Sequence, residues 1–208
     1  MSKKNENYNS DFLSPEELGK LNFKKLGKNV KISKNVLIVG CKNISLGDNI
    51  RIDGFTSIIA FYGKISIGSN THIGPNTYLY SSNLIKIGNF CGIGPNTNIL
   101  TTIESYDGTG LNNVNLFETY KKNKYKKFQK LKSGKIIIFN HVIIGYSCLV
   151  YPNTIIENNT SISSHSLVYS KLRGGFIYGG NPIKKILKKD NKNLTFEKKL
   201  SKWFLLKI

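Results

Sequence analysis

The feature that most constrains this chain is a six-residue period. Blocks such as ISIGSN-THIGPN, IKIGNF-CGIGPN-TNILTT and HVIIGY-SCLVYP-NTIIEN-NTSISS-HSLVYS repeat one pattern. An aliphatic residue recurs at Ile32, Ile38, Leu46, Ile52, Ile58, Ile67, Ile73, Leu79, Ile87, Ile93 and Ile99, then at Ile138, Ile144, Val150, Ile156, Ile162 and Val168. Two places earlier stands a small or β-branched residue, for example Thr56, Thr77, Cys91, Thr97, Val142 and Cys148. Side chains alternate along a strand, so both positions share one face, and that face is the core.

The departures from six carry more information than the repeat. Ile38 to Leu46 is eight residues, Ile58 to Ile67 nine, Leu79 to Ile87 eight and Ile99 to Ile138 thirty-nine. Each break follows three hexads, or two at the start. If three hexads form one coil of a triangular prism, every extra residue falls at the same corner. The expected fold is all-β: a parallel β-helix of about six coils, stacked ~4.8 Å apart, with one long loop leaving that corner. Turn chemistry agrees. Gly follows the aliphatic at Gly47, Gly68, Gly74, Gly88, Gly94 and Gly145, and Asn stands three places after it at Asn35, Asn49, Asn70, Asn76, Asn96, Asn153 and Asn159. Both tolerate the left-handed conformations of tight corners.

The ends read differently. Ser14-Pro15-Glu16-Glu17 is a capping box with proline at the first helical position, so a short helix should cover the first coil. After Val168 comes a Gly-rich loop, and the remainder to Ile208 reads as one or two basic amphipathic helices. The expected division is a helical cap over 1–28, the β-helix over 29–172 with a loop at 103–135, and a C-terminal loop and helical tail over 173–208.

Bulk properties exclude several classes. The 208 residues suit one domain, and 39% hydrophobic content suffices for a core. No apolar run approaches the ~20 residues that cross a bilayer. MSKKNENYNSDF carries no secretion signal, so a cytoplasmic protein is expected. Cys41, Cys91 and Cys148 match no zinc ribbon or redox pair. Cys91 and Cys148 occupy inward positions and read as core. The net charge of +19 favours anionic ligands, yet only Arg51 and Arg173 are arginine, and the abundance of Lys, Asn and Ile matches AT-rich coding. No nucleic-acid motif appears, so no nucleic-acid partner is expected. Trp203-Phe204-Leu205-Leu206 among many lysines would suit peripheral contact with the inner membrane.

The hexads together with Gly180-Asn181-Pro182-Ile183-Lys184-Lys185-Ile186 resemble the hexapeptide-repeat acyltransferases, over roughly residues 12–190. This superfamily includes maltose, galactoside and xenobiotic O-acetyltransferases and N-acyltransferases of nucleotide-linked amino sugars. Its ending is G-N-P-A-K-x-I, and Ile183 departs from the usual alanine. The resemblance implies a left-handed β-helix and a homotrimer with active sites between prisms. It also implies acetyl-CoA or another acyl-CoA as co-substrate and no metal. Gly145, Ser164, Gly180, Asn181, Lys184 and Lys185 would then contact the cofactor, with Ser164 facing pantetheine and Lys184 near the CoA phosphates.

The catalytic histidine of the O-acetyltransferases lies just after the strand ending near Ile99. Here that stretch reads ILTTIESYDGTG, with Glu104 in roughly that place and Tyr106 and Asp107 beside it. Either Glu104 orients or deprotonates the acceptor, or it is an exposed loop acid. His141 and His165 fall in the corner slot usually held by Asn, which histidine tolerates. His141 also lies where the long loop rejoins the prism, which keeps it a catalytic candidate. His72 should point outward and could line a groove, with Tyr106 and Asp107 as further substrate contacts. A zinc site from three histidines is disfavoured, because His141 and His165 fall at different corners. The lysines between Lys121 and Lys132 are either a solvated charge run or a lid for phosphates. The leading expectation is acyl transfer from acyl-CoA to a sugar, with N-acylation of a nucleotide-linked amino sugar favoured by the missing histidine. O-acetylation of a surface-polysaccharide sugar is the alternative, and a non-catalytic solenoid is the alternative of another class.

Overall fold

The structure, a computed structural model, describes residues 11–104 and 131–189. Three parallel sheets wrap one core. The first face stacks Lys25–Leu26, Ile44–Leu46, Lys64–Ile67, Leu84–Ile87, Ile136–Ile138, Ile155–Ile156 and Lys171–Leu172. The second face stacks Val30–Ile32, Ile50–Ile52, His72–Ile73, Gly92–Ile93, Ile143–Ile144, Ser161–Ile162 and Phe176–Gly179. The third stacks Leu37–Val39, Ser57–Ile59, Tyr78–Tyr80, Asn98–Leu100, Leu149–Val150 and Leu167–Val168. The chain visits the faces in that order, so each coil has a first corner (first to second face), a second corner and a third corner. This is the β-helix that the repeat predicts.

The repeated aliphatics fill the interior; Ile32, Ile52, Ile73, Leu79, Ile99 and Val150 are fully buried. Their small partners are buried too, and the threonines among them have a second task. Thr97 Oγ1 donates to the Gly145 carbonyl at 3.0 Å, Thr71 to Gly88 at 3.1 Å and Thr56 to Gly74 at 3.0 Å. Corner carbonyls that would otherwise lie unpaired against the core are thus satisfied, as a buried polar group requires. Among the described residues no buried side-chain nitrogen or oxygen lacks a partner.

The insertions do share one corner. Residues 40–43, 60–63 and 81–83 lie at the third corner, between third-face and first-face strands, and so do 101–104 and 131–135, the two described ends of the long insertion. The long loop leaves on an antiparallel pair, Thr102–Glu104 against Leu131–Ser133. Its root is tied by hydroxyls: Ser82 donates its backbone N–H to Thr101 Oγ1 at 2.8 Å, Ser82 and Thr102 share a short hydroxyl contact, and Thr102 donates to Ser133 at 3.1 Å. Tyr106 and Asp107 lie outside the described residues.

Corner backbones are left-handed at Asn29, Asn49, Asn70, Asn76, Asn96, Asn153 and Asn159, with φ between 52° and 65°. Asn35 is an exception to the expected slot. His141 and His165 take the same conformation, at 57° and 58°, and they sit at the first and second corners respectively.

At the amino end, helix Pro15–Lys20 carries the expected capping box: Ser14 Oγ accepts from the Glu17 N–H at 3.2 Å and Glu17 Oε2 from the Ser14 N–H at 2.6 Å. Leu18 plugs the open core. The carboxyl end corrects the sequence reading. Phe176–Gly179 and Lys184–Lys188 form an antiparallel strand pair, where a loop followed by a basic helix was expected. Left-handed Gly180 (φ 95°) turns the chain back, and the second face offers Lys184–Lys188 a ready edge of backbone partners. Such an edge is invisible to side-chain periodicity. Residues 190–208, with the expected helical tail and its Trp203-Phe204 segment, lie outside the described residues. Among the described residues no helix is long and apolar enough to cross a membrane.

Candidate functional site

The predicted cofactor contacts converge at the second corner. Gly145, Ser164 and Gly180 occupy this corner on three successive coils. The column is held by Tyr146 N–H to Ser164 Oγ at 3.0 Å, Gly145 N–H to the Ile162 carbonyl at 2.8 Å and Gly180 N–H to Ser166 Oγ at 3.0 Å. Gly145 is obligatory for a packing reason: a Cβ there would meet the Ser164 backbone nitrogen at 2.5 Å. Ser164 and Gly180 are exposed, so the column presents backbone with little side chain to a ligand lying along the coils. A pantetheine arm, with its alternating amides and methylenes, suits such a surface. Below it, Asn181 tops the hairpin and Lys184 and Lys185 stand exposed on the return strand. Lys185 Nζ lies 4.7 Å from the centre of the Phe176 ring. The two ammonium groups can meet phosphate oxygens.

A second cluster lies on the outer side of the second face. Asp53 Oδ2 is 2.7 Å from His72 Nε2, and Arg51 Nε donates to Asp53 Oδ1 at 2.6 Å. The Asp53 side chain is 16% exposed and His72 53%. Partial burial pushes the Asp53 carboxyl up, but the bonds from Arg51 and His72 together outweigh this and hold it below the usual carboxylate range. Asp53 is the residue that sequence reasoning missed. It sits one place after the core residue Ile52, where the other coils carry glycine (Gly74, Gly94, Gly145, Gly179) or serine (Ser33, Ser163); a charged residue among these small ones was the available signal. Beside it, a cleft of ≈ 420 Å³ is lined by Phe12, Lys34, Arg51, Asp53, Phe55 and Pro75 among others.

The catalytic candidates do not meet within one prism. Glu104 is exposed at the loop root on the third corner. His141 is at the first corner, stacked on Phe90. The column of predicted cofactor contacts is at the second. Cys91 and Cys148 are buried, and burial raises both thiols, which suits core packing and not nucleophilic attack.

Comparison with known proteins adds independent information. No family model matches the chain. A dTDP-4-amino-4,6-dideoxy-D-glucose acyltransferase of Escherichia coli is 30% identical over 186 residues, 89% of this chain and 93% of that protein. The structure is similar to AntD, an N-acyltransferase from Bacillus cereus solved with dTDP and 3-hydroxybutyryl-CoA: TM-score 0.85, 33% identity, 94% of this chain and 98% of that one. A mutant of AntD solved with dTDP-4-amino-4,6-dideoxyglucose and coenzyme A gives a TM-score of 0.84 at 33% identity, over 93% and 98%. A maltose O-acetyltransferase from Clostridium difficile shares the fold, at TM-score 0.55 and 19% identity over 84% and 74%.

Proposed function

Because this chain belongs to the hexapeptide-repeat acyltransferases, we propose that it moves an acyl group from acyl-CoA to the amino group of a nucleotide-linked 4-amino-6-deoxy sugar. The observation that carries this reading is the near full-length likeness to two acyltransferases of dTDP-amino-sugar chemistry. It is supported by a backbone-lined column, Gly145 to Gly180, ending at paired lysines. An amine is a better nucleophile than a hydroxyl once it has lost its proton, so the reaction asks less of a general base. Glu104 stands where the O-acetylating relatives keep histidine, and in this reading it orients the acceptor.

The working unit is a homotrimer. One prism keeps its loop root, its cofactor column and His141 on three different corners, and adjacent copies would bring unlike corners into one groove. Acyl-CoA and nucleotide sugars are cytoplasmic pools, which assigns the enzyme to the cytoplasm.

The test is thiol release from acetyl-CoA and 3-hydroxybutyryl-CoA, assayed with nucleotide-linked amino sugars and with the corresponding hydroxyl sugars. Turnover with the amine and none with the hydroxyl is expected. Turnover only with hydroxyl acceptors would replace N-acylation by O-acylation. Sedimentation at micromolar concentration should give three copies.

A further inference from the structure

Gly92 has no structural reason to be glycine. Its φ is not in the left-handed region. A Cβ built on it meets nothing within 4 Å. It lies mid-face, in the strand Gly92–Ile93, where glycine weakens a strand and marks places that another molecule approaches closely. Strand register puts His72 beside Gly92 on the coil before and Ile143 on the coil after. The outward row of the second face therefore reads Arg51, His72, gap, Ile143, Ser161. His72 and Ile143, the two sides of the gap, are 53% and 55% exposed.

Two neighbours add to the gap. Phe90, two residues earlier at the first corner, is 47% exposed and holds a left-handed backbone (φ 56°) in a slot that asparagine fills at Asn29, Asn49, Asn70 and Asn159. A bulky residue in that conformation is a strained choice. Gly94, two residues later at the second corner, packs directly over Gly145, so tightly that a Cβ would fall 2.7 Å from the Gly145 carbonyl carbon. The gap thus lies about 7 Å along the strand from Gly94, which abuts Gly145, the first member of the cofactor column.

We propose that the gap at Gly92 seats the sugar ring of the acceptor, and that His72, held by Asp53, takes the proton of the attacking amine. The proposal rests on the N-acylation reading above. The apolar face of a pyranose has partners in Ile143 and Phe90, and its polar edge has one in His72. Asp53 stays ionised, so His72 Nε2 must carry the hydrogen that bridges to Oδ2. In the ring form that acts as a base, the lone pair is then on Nδ1, which faces away from Asp53. The amine nitrogen attacks the thioester carbonyl carbon, and the carbon–nitrogen bond forms. A proton passes from nitrogen to His72 Nδ1. The carbon–sulfur bond breaks, and the departing thiolate takes that proton back from His72. The products are amide and free CoA thiol, with His72 restored. His72 is the catalytic residue here, and Asp53 is a positioning residue that fixes its tautomer and ring orientation.

The experiment is steady-state kinetics on the full chain with acetyl-CoA and a nucleotide-linked amino sugar. His72→Gln is expected to lower kcat about 100-fold with both KM values little changed. Asp53→Asn should lower kcat by less, and Asp53→Glu should recover part of it, which a purely structural carboxylate would not do. Gly92→Leu fills the gap and should raise the amino-sugar KM more than about 10-fold, leaving the acetyl-CoA KM alone. Gly92→Ala should melt no lower than the parent, which shows that the gap is not needed for folding. The proposal is overturned if His72→Gln keeps its kcat, or if Gly92→Leu leaves the sugar KM unchanged or raises the acetyl-CoA KM instead. A parent enzyme that turns over hydroxyl sugars only would sink the amine reading and with it the proton transfer from nitrogen. The seat would then stand or fall on the Gly92→Leu KM for that acceptor.

Discussion

Phe90 and His141 lie on neighbouring coils with their rings 5.0 Å apart and 5° from parallel. Above them the same corner carries an amide ladder, Asn29 to Asn49 at 2.9 Å and Asn49 to Asn70 at 3.0 Å. The ladder gives way to a ring stack on the coil that carries the Gly92 gap and the coil after it. Both aromatic residues keep left-handed backbones, so the conformation belongs to the corner and the side chain is a local choice.

His141→Asn should therefore be mild. Asparagine is the residue this corner uses on three of the coils above, and the loss is one ring pair, worth about 0.5–1.5 kcal/mol. Chemical denaturation would measure it. A kcat that collapses in this variant while stability holds would make His141 catalytic and not a corner residue.

Thr97→Val tests the buried hydroxyls. Thr97 is fully buried, donates to the Gly145 carbonyl and accepts from the Cys148 N–H at 3.3 Å. Valine keeps the shape and orphans both groups, which should cost about 1–3 kcal/mol. A variant as stable as the parent would mean that water or a shifted backbone supplies the missing partner.

Asp53 makes an acid-stability prediction. Its carboxyl is held low in the folded state, so the unfolded chain binds that proton more readily. The resulting stabilisation is complete above the ordinary aspartate value of about 3.9 and fades as pH falls through the lowered folded value. Asp53→Asn should be less stable than the parent at neutral pH, and the difference should shrink below about pH 4. Urea melts of both proteins across that window would show it; a difference independent of pH would remove the ion pair as its cause.

Acyl-CoA should raise the melting temperature, because a ligand that binds only the folded state must stabilise it. Lys184→Glu should weaken that shift and raise the acyl-CoA KM with little change in kcat, since a phosphate contact is alike in ground and transition states. A full shift in Lys184→Glu would move the phosphate site elsewhere.

Glu104→Gln should raise the acceptor KM and leave the acyl-CoA-dependent thermal shift intact. Glutamine keeps the size, and the exposed loop root gives folding little to lose. Unchanged acceptor kinetics would reduce Glu104 to a surface acid.

The sequence by itself determined the prism. Its six-residue period, its small inward partners such as Thr97 and Cys148, and the confinement of every insertion to one corner are local properties, repeated often enough to read without coordinates. The capping box at Ser14 was legible for the same reason. Tertiary structure alone decided what depends on neighbouring coils. The Asp53–His72 pair joins residues nineteen positions apart because adjacent coils set them side by side. The gap at Gly92 exists only through its register with His72 and Ile143. The strand Lys184–Lys188 forms because the second face ends in an edge of unpaired backbone groups, and its own side-chain pattern served a helix equally well. Hydrogen bonding between coils is what separates the two kinds of knowledge, since it pairs residues that no local pattern connects.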